Sequence, residues 1–264
     1  MGNRIDPNFY NQITARNSAE LKEKIKQAVV GIAGCGGLGS NAAIALARIG
    51  IRKLVITDFD KVEPSNLNRQ QFFISDIGKY KTDALASFIK QVNPFVEVEI
   101  NTSKLSLNNI FNIYKDCPII IEAFDKVSEK AMIVKAFWDK RFKNKFLITA
   151  SGLAGYSSSN LIKTNKLSNN IFICGDNKNE GNEKNGLMAP RVMIAAGHQA
   201  NMAVSLISKI YLISLCYFCL ETKVTKNSRL QIILLKIYYA PLRRINSLSL
   251  KQNSSLNVPL HKFS

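Results

Sequence analysis

The chain has 264 residues and a mass of 29.4 kDa, which suggests one large domain or two small ones. About 46% of its residues are apolar and 21% are charged, a balance that supports a buried core and excludes wholesale disorder. Five cysteines are too few for a disulfide-stapled secreted scaffold. Residues 1–30 contain no apolar run of the kind found in secretory signals, so we expect a cytoplasmic protein.

The formal net charge of +17 is typical of nucleic-acid-binding proteins. Lysine, asparagine and isoleucine share AT-rich codons, however, so base composition explains the excess of lysine without selection for a basic surface. The charge is also uneven, because residues 209–264 carry 9 basic groups and only 1 acidic group. We therefore expect neither nucleic acid nor a membrane as the partner, although a basic surface suits ATP, pyrophosphate or an acidic protein.

Apolar runs alternate with helical patterns along much of the chain. The predicted strands span 28–33, 54–58, 96–100, 117–123 and 146–150. The predicted helices span 18–27, 40–49, 82–92, 130–138 and 190–206. Strands that alternate with helices favour an α/β fold, a Rossmann-like and mostly parallel sheet with helices on both faces. The predicted organisation is a helical segment over 1–27, the α/β domain over 28–208 and an atypical tail over 209–264.

A glycine-rich turn separates the first predicted strand from the next predicted helix. It fits the pattern G-x-G-x-x-G, and its glycines are Gly34, Gly36, Gly37 and Gly39. Glycines let the backbone approach phosphates, and the helix N-terminus offers free N–H groups. Asp58 ends the next strand 19 residues after Gly39, where a carboxylate would accept hydrogen bonds from a ribose. The motif does not choose between NAD and ATP.

The polar segment after Asp58 favours ATP, because a dehydrogenase does not need it. Asn66 and Arg69 lie close together in this segment, where they could bind a triphosphate. Lys81 begins the next helical pattern, and with Arg69 it provides two cations suited to in-line attack on a phosphoryl group. Asp125 follows a buried strand, at the edge of the sheet where ligands bind, and its carboxylate suits Mg²⁺.

These segments together resemble one superfamily. The run GCGGLGSNAAIALARIGIRKLVITDFDKVEPSNLNRQQF, then DIGKYK and Asn93-Pro94, is similar to ThiF/MoeB/ubiquitin-activating proteins, and GLMAP and RVMIAAGHQANMAV are most similar to short bacterial ThiF proteins. Members adenylate the C-terminal carboxylate of a small β-grasp carrier protein. The resemblance implies an ATP-dependent adenylyltransferase of thiamine (thiazole) biosynthesis that releases pyrophosphate. Its partner would be a ThiS-like sulfur carrier ending in Gly-Gly.

The resemblance also implies a role for each residue of the nucleotide site. The glycine loop, with Asn66 and Arg69, would bind the ATP phosphates, and Asp58 would hold the ribose. Lys81 would stabilise the charge that develops on the α-phosphate, and Asp125 would coordinate Mg²⁺.

The family often forms dimers, and an arginine from the partner subunit often completes its site. We therefore expect a homodimer. The candidate for this arginine is Arg16, whose local sequence matches the family poorly.

The cysteines carry two further expectations. Many relatives bind a structural zinc with two CxxC pairs, whereas this chain has only Cys216 and Cys219, within an apolar stretch. We therefore expect no structural zinc and interpret these two as hydrophobic side chains. Some relatives carry a reactive cysteine on a loop that corresponds to residues 176–186. This loop has none, and Cys174 is the nearest candidate for sulfur transfer.

The tail departs from the family pattern. Residues 204–220 are nearly continuously apolar apart from Lys209, and a run of about 17 residues is borderline for a membrane span. Three interpretations remain open: a long last helix packed on the sheet or across a dimer, a membrane-associating tail, or a non-native end produced by a frameshift, which we favour.

Alternative functions also remain open. A MoeB-like enzyme for the molybdopterin carrier and a tRNA threonylcarbamoyladenosine dehydratase belong to the same superfamily, and GLMAP and GHQAN favour ThiF over both. An NAD-dependent oxidoreductase is disfavoured by Asn66, Arg69 and Lys81 as a set. An inactive carrier-binding module is disfavoured by the retention of Arg69, Lys81 and Asp125.

Overall fold

The computed structural model describes residues 8–179, 181 and 185–221, with side chains as far as residue 210. The chain divides into two units, Met1–Tyr211 and Leu212–Ser264. In the described part of the first unit, seven strands form one sheet in the order β3-β2-β1-β4-β5-β7-β6. The strands are β1 Val29–Ala33, β2 Lys53–Thr57, β3 Glu97–Asn101, β4 Ile119–Glu122, β5 Phe146–Ala150, β6 Lys163–Lys166 and β7 Ile171–Gly175.

The sheet is parallel except for β6, which pairs antiparallel with β7. Four helices connect consecutive strands from β1 to β5: α3 Gly37–Arg48, α4 Lys81–Val92, α5 Ile110–Ile113 and α6 Val127–Ala136. Helices α1 Phe9–Ile13 and α2 Ala19–Ile25 precede β1, and α7 Ala189–Glu221 follows β7. The predicted Rossmann-like α/β class is therefore confirmed.

Alternate residues of the central strands supply two separate hydrophobic cores. On one face, Val30 and Ile32 of β1 join the cluster that includes residues of α3, α4 and α7. On the other face, Val29 and Ala33 join the cluster that includes residues of α5 and α6. Because neighbouring strand residues point to opposite faces, β1 is buried on both sides, which explains why it reads as a continuous apolar run.

Several features of the fold differ from the predictions. The hairpin of β6 and β7 was not predicted: β6 is polar and lies at the edge of the sheet, and the short apolar run of β7 was overlooked. The short helix α5 was also not predicted, and α6 begins at Val127 rather than at residue 130. Helix α3 begins at Gly37 rather than at residue 40, since the glycine loop itself forms its first turn. Helix α7 continues to Glu221, beyond the predicted end at 206.

The predicted tail lies mainly outside the described residues, because residues 222–264 are not described. Among the helices that the structure describes, none is long and apolar enough to cross a membrane.

Candidate active site

A cleft of about 640 Å³ opens at the carboxyl ends of the parallel strands. It is bordered by the loops that follow β1, β2, β4 and β5. The residues predicted from the sequence that line it are Gly34, Gly36, Gly37, Asp58, Asn66, Arg69, Lys81 and Asp125. Eight residues from four separate segments are thus brought to one concave surface, at the edge of the sheet where open α/β folds bind ligands.

The glycine loop needs its glycines for two different reasons. Gly34 has a φ of +97°, and a Cβ there would lie 2.9 Å from the carbonyl oxygen of Ala123, so the turn out of β1 requires glycine. A Cβ on Gly39 would lie 1.8 Å from the carbonyl oxygen of Gly34. Gly39 does not line the cleft, and its role is to let α3 pack against the loop. Gly36 and Gly37 form the cleft surface at the N-terminus of α3.

Asp58 fastens the glycine loop to the end of β2. Its Oδ2 accepts a hydrogen bond from the backbone N–H of Cys35 at 2.6 Å, and its Oδ1 accepts one from the N–H of Asp60 at 2.8 Å. Burial raises the pKa of the Asp58 carboxyl, and the two N–H donors only partly offset this effect. Carboxylate oxygens have further lone pairs, so Asp58 can accept a hydrogen bond from a ligand while it holds the loop.

Arg69 reaches across the polar segment that follows β2. Its Nη1 donates to the carbonyl oxygen of Ser65 at 3.0 Å and to Oδ1 of Asn68 at 2.8 Å. Its stem lies beside the position that a Cβ on Gly37 would take. Asn66 is buried, and its Oδ1 accepts a hydrogen bond from the N–H of Glu63 at 3.1 Å. The structure thus gives Asn66 a role in shaping this turn, and it places Arg69 next to the glycine loop.

Lys81 has a partner that the sequence analysis missed. Its Nζ donates to Oδ2 of Asp60 at 2.9 Å, and its backbone N–H donates to the carbonyl oxygen of the same residue at 2.9 Å. Only 8% of Lys81 is exposed, and both residues line the cleft. The signal in the sequence was the second acidic residue of the D-x-D segment, two positions after Asp58.

A buried ionic cluster holds the start of the loop that carries Asp125. The side chain of Glu122 is fully buried, and its Oε1 accepts hydrogen bonds from Lys130 Nζ at 2.8 Å and from the N–H of Phe124 at 2.7 Å. Thr149 of β5 donates its hydroxyl to the same carboxylate. The sequence did not predict a role for Glu122 or Lys130, because their cluster forms only when β5 lies beside β4. The cluster fixes the start of the loop from which Asp125 reaches the cleft.

Residues between β7 and α7 form a further wall of the cleft. Asn179, Gly181 and Leu187 line it together with residues 150–154. Asn68 donates its Nδ2 hydrogen to the carbonyl oxygen of Leu187 at 2.9 Å, which ties this wall to the segment that carries Arg69.

Arg16 lies away from the cleft of its own chain. The adjacent residue Asn17 donates from Nδ2 to the carbonyl oxygen of Ile49 at 2.8 Å, at the C-terminal end of α3. The glycine loop is at the opposite end of this 12-residue helix, about 18 Å away at 1.5 Å per residue. The structure therefore does not bring Arg16 together with the other predicted site residues.

Cys174 is poorly suited to sulfur chemistry. It is fully buried in β7, and burial raises the pKa of its thiol to about 11. A thiol must be deprotonated to act as a nucleophile, and Cys174 does not line the cleft.

Within the part of the chain that the structure describes, no group of three His, Cys, Asp or Glu residues is placed to hold a metal ion. The side chains of Cys216 and Cys219 lie outside the described set, so the prediction about zinc stays a prediction.

The parallel sheet, the glycine loop at the N-terminus of α3 and the acid after β2 define a Rossmann-like nucleotide-binding domain. A family model described as the ThiF family matches residues 10–238. The chain therefore belongs to the ThiF family. The match extends past the boundary that the sequence analysis expected at residue 208.

Curated relatives match part of the chain. It is 34% identical over 119 residues to ubiquitin-like modifier-activating enzyme 5 of Bombyx mori, covering 44% of this chain and 30% of the relative. It is 32% identical over 142 residues to adenylyltransferase and sulfurtransferase UBA4 of Candida albicans, covering 50% of this chain and 32% of the relative. The matched segments thus span about a third of the length of these two relatives.

A solved structure resembles most of the chain. The E. coli tRNA N6-threonylcarbamoyladenosine dehydratase TcdA, in complex with AMP, superimposes with a TM-score of 0.69 and 20% sequence identity. The superposition covers 76% of this chain and 95% of TcdA. At this identity the likeness shows the shared fold alone.

Proposed function

We propose that the chain is an ATP-dependent adenylyltransferase that forms an acyl-adenylate on the C-terminal carboxylate of a small ubiquitin-like or sulfur carrier protein. The observation that carries this proposal is the convergence of the glycine loop, Arg69, Lys81 and Asp125 on one cleft. A nicotinamide dehydrogenase needs the first of these features but not the two cations. The names of the relatives, an activating enzyme and an adenylyltransferase, support the same reaction.

The reaction requires no covalent nucleophile from the protein. A carboxylate oxygen of the carrier attacks the α-phosphorus of ATP, a new P–O bond forms, and the bond to the bridging oxygen of pyrophosphate breaks. The protein must orient the two substrates and neutralise negative charge. Lys81 and Arg69 provide positive charge beside the glycine loop, and the buried position of Lys81 strengthens its electrostatic effect.

The acidic residues of the cleft fit a magnesium ion that is delivered with ATP. Mg²⁺ is usually bound by one or two carboxylates together with waters and substrate phosphates, so a complete cage of protein ligands is not needed. Asp125 offers such a carboxylate at the cleft surface. Bound Mg²⁺ would neutralise phosphate charge, while the cluster around Glu122 keeps the loop of Asp125 in place.

The proposed carrier is a ThiS-like protein of thiazole biosynthesis that ends in Gly-Gly. The segments GLMAP and GHQAN, which resemble short ThiF proteins, support this choice. The wall formed by Ser151, Gly152 and Ala154 is made of small residues, which suits an extended tail with small side chains.

We also propose a homodimer. Arg16 lies at the far end of α3 from its own cleft, so only a second copy of the chain could supply it to the site.

A tRNA-modifying activity is the second candidate. The similarity in fold to TcdA extends over 95% of that protein, and the net charge of +17 suits a polyanion. Tight tRNA binding that weakens steeply with salt, without any activity toward carriers, would favour this candidate.

The test is ATP–pyrophosphate exchange with Mg²⁺ and a ThiS-like carrier ending in Gly-Gly. We expect exchange that depends on the carrier and is lost when its terminal glycine is removed, because the attacking carboxylate is then misplaced. Failure with β-grasp carriers of the ThiS, molybdopterin and ubiquitin-like modifier types, by folded protein that still binds ATP, would reject the proposed function.

A further inference from the structure

A buried ion pair outside the predicted site joins the two ends of the segment between β7 and α7. Asp176 follows β7, Arg191 lies in the first turn of α7, and Arg191 Nη2 donates to Oδ2 of Asp176. The side chain of Asp176 is 3% exposed and that of Arg191 is 4% exposed. Burying two charges is unfavourable unless each is paired and hydrogen-bonded, so this pair requires the surrounding groups to be in place.

The groups around the pair come from two segments, one after β5 and one after β7. Asp176 Oδ1 accepts hydrogen bonds from the N–H groups of Lys178 and Asn179, both at 2.9 Å. Arg191 Nη1 donates to the carbonyl oxygens of Ser157 at 2.5 Å and Ser158 at 3.0 Å. The pair therefore links the segment after β5, the segment after β7 and the start of α7.

Neither charged residue lines the cleft, but their neighbours do. Asn179 and Val192 are cleft residues, three positions after Asp176 and one position after Arg191. The N–H of Ala154, another cleft residue, donates to the carbonyl oxygen of Asn179 at 3.1 Å. A shift of either charged side chain would therefore move the wall of the cleft.

Along the edge of the sheet, the wall and the expected ribose position lie on opposite sides of β1. In the strand order, β2, which precedes Asp58, is on one side of β1, whereas β4, β5 and β7 are on the other. Since Asp58 and the glycine loop occupy the nucleotide side of the cleft, the wall fixed by the ion pair faces the space left for the second substrate.

We propose that Asp176 and Arg191 are positioning residues that set this wall for the carboxylate-bearing tail of the second substrate. The inference rests on the proposed adenylation. It requires the pair to raise the carrier KM much more than the Kd for ATP. The wall does touch the phosphate site, where Asn68 bonds to Leu187 and Val192 lies beside Gly37, but the glycine loop, Arg69 and Lys81 are held by hydrogen bonds to groups outside the wall.

The experiment uses the full chain and compares Asp176→Asn and Arg191→Lys with the wild type. Asp176→Asn keeps one oxygen for the two N–H groups but removes the negative charge. Arg191→Lys keeps the positive charge but cannot donate to three acceptors in the same planar geometry. Arg141→Ala is the matched control, because it breaks an exposed Arg–Asp pair that does not border the cleft.

The measured quantities are the KM for a ThiS-like carrier in pyrophosphate exchange and the Kd for Mg-ATP. We expect Asp176→Asn to raise the carrier KM by about tenfold or more and to change the ATP Kd by less than about twofold. Arg191→Lys should give a smaller rise in the same KM, and it serves as the test if Asp176→Asn does not fold. Arg141→Ala should resemble the wild type.

The outcomes separate the two proposals. Two results, with an active wild type, would overturn the positioning role alone. One is an unchanged carrier KM in the variants, and the other is a rise in carrier KM that is matched by an equal rise in the Kd for ATP. Absence of exchange by the wild type would reject the proposed function, and the positioning role would fall with it.

Discussion

Lys81 Nζ lies 2.9 Å from Oδ2 of Asp60, and the same two residues are also joined through their backbones. The lysine side chain is 10% exposed and the aspartate side chain 53%. The cation is therefore held by a partner on the rim of the cleft while its own stem is buried. This arrangement orients Nζ, whose remaining protons are free to be donated to a phosphate.

Replacing Lys81 should remove activity without unfolding the protein. Lys81→Ala is expected to lower the rate of pyrophosphate exchange by about 100-fold or more, because one positioned donor to a developing charge is worth that much in other enzymes. Asp60→Asn should cause a smaller loss, since Nζ keeps its charge but loses its carboxylate partner.

The control for both variants is Lys79→Ala, two residues away, which removes a lysine whose side chain is 55% exposed from its ion pair with Asp76. It should exchange like the wild type. Exchange by folded Lys81→Ala at the rate of the wild type would remove Lys81 from the mechanism.

Two glycines provide a contrasting pair of stability measurements. Gly39→Ala would place a methyl group against the carbonyl oxygen of Gly34, and such overpacking is expected to lower the free energy of unfolding by about 2 kcal/mol. Gly197 lies within α7, and a Cβ there would meet nothing within 4 Å. Gly197→Ala should therefore raise the free energy of unfolding by up to about 1 kcal/mol.

Denaturant unfolding of both variants measures these changes. Equal effects in the two would contradict the close approach of α3 to the glycine loop. ATP affinity should fall only in Gly39→Ala, since the glycine loop that this substitution displaces faces the cleft.

The glycine loop and the residues around it could be predicted because each lies in a short segment that carries its own signal. Asp58 follows an apolar strand, and Lys81 begins a helix, so their positions at the cleft follow from the parallel order of the strands. The partners of these residues could not be predicted in the same way. Glu122 accepts a hydrogen bond from Thr149, which is 27 positions away, and Lys130 donates to the carbonyl oxygen of Ala150. Nothing local to Glu122 or Lys130 indicates these contacts.

The second half of the domain was harder to predict for a related reason. Strand β6 consists of the polar residues KTNK, so it lacks the apolar run by which the inner strands were recognised. Asp176 and Arg191 lie at the two ends of a polar segment, and their pairing follows only once β7 and α7 are packed on the sheet. A sequence pattern indicates whether one segment is buried, whereas the pairing of β6 and the contact between Asp176 and Arg191 depend on how several segments pack together.

The thiol of Cys174 should be unreactive in the folded protein. Because burial raises its pKa to about 11, only about 0.1% of it would be thiolate at pH 8 even if reagents could reach it. Alkylation by iodoacetamide, followed at this residue by peptide mass spectrometry, should be at least about 100-fold slower in native than in urea-unfolded protein. Equal rates would show that the thiol is accessible and would reopen a role in sulfur transfer.

The buried pair of Asp176 and Arg191 also predicts how stability depends on pH. Burial raises the pKa of the Asp176 carboxyl, but the hydrogen bonds from Asn179 and Lys178 and the charge of Arg191 outweigh it, so the net pKa lies below the ordinary 3.8. A carboxyl with a lowered folded-state pKa stabilises the protein fully above its unfolded pKa, and this contribution is lost as pH falls through the folded value.

Asp176→Asn should therefore be less stable than the wild type by about 3 kcal/mol at pH 7, since it leaves Arg191 buried without its counter-charge. The difference should shrink as pH falls below about 4, because the wild-type carboxyl then becomes protonated too. Urea unfolding of both proteins between pH 3 and pH 7 measures it. A difference that stays constant across this range would mean that the charge of Asp176 does not stabilise the fold.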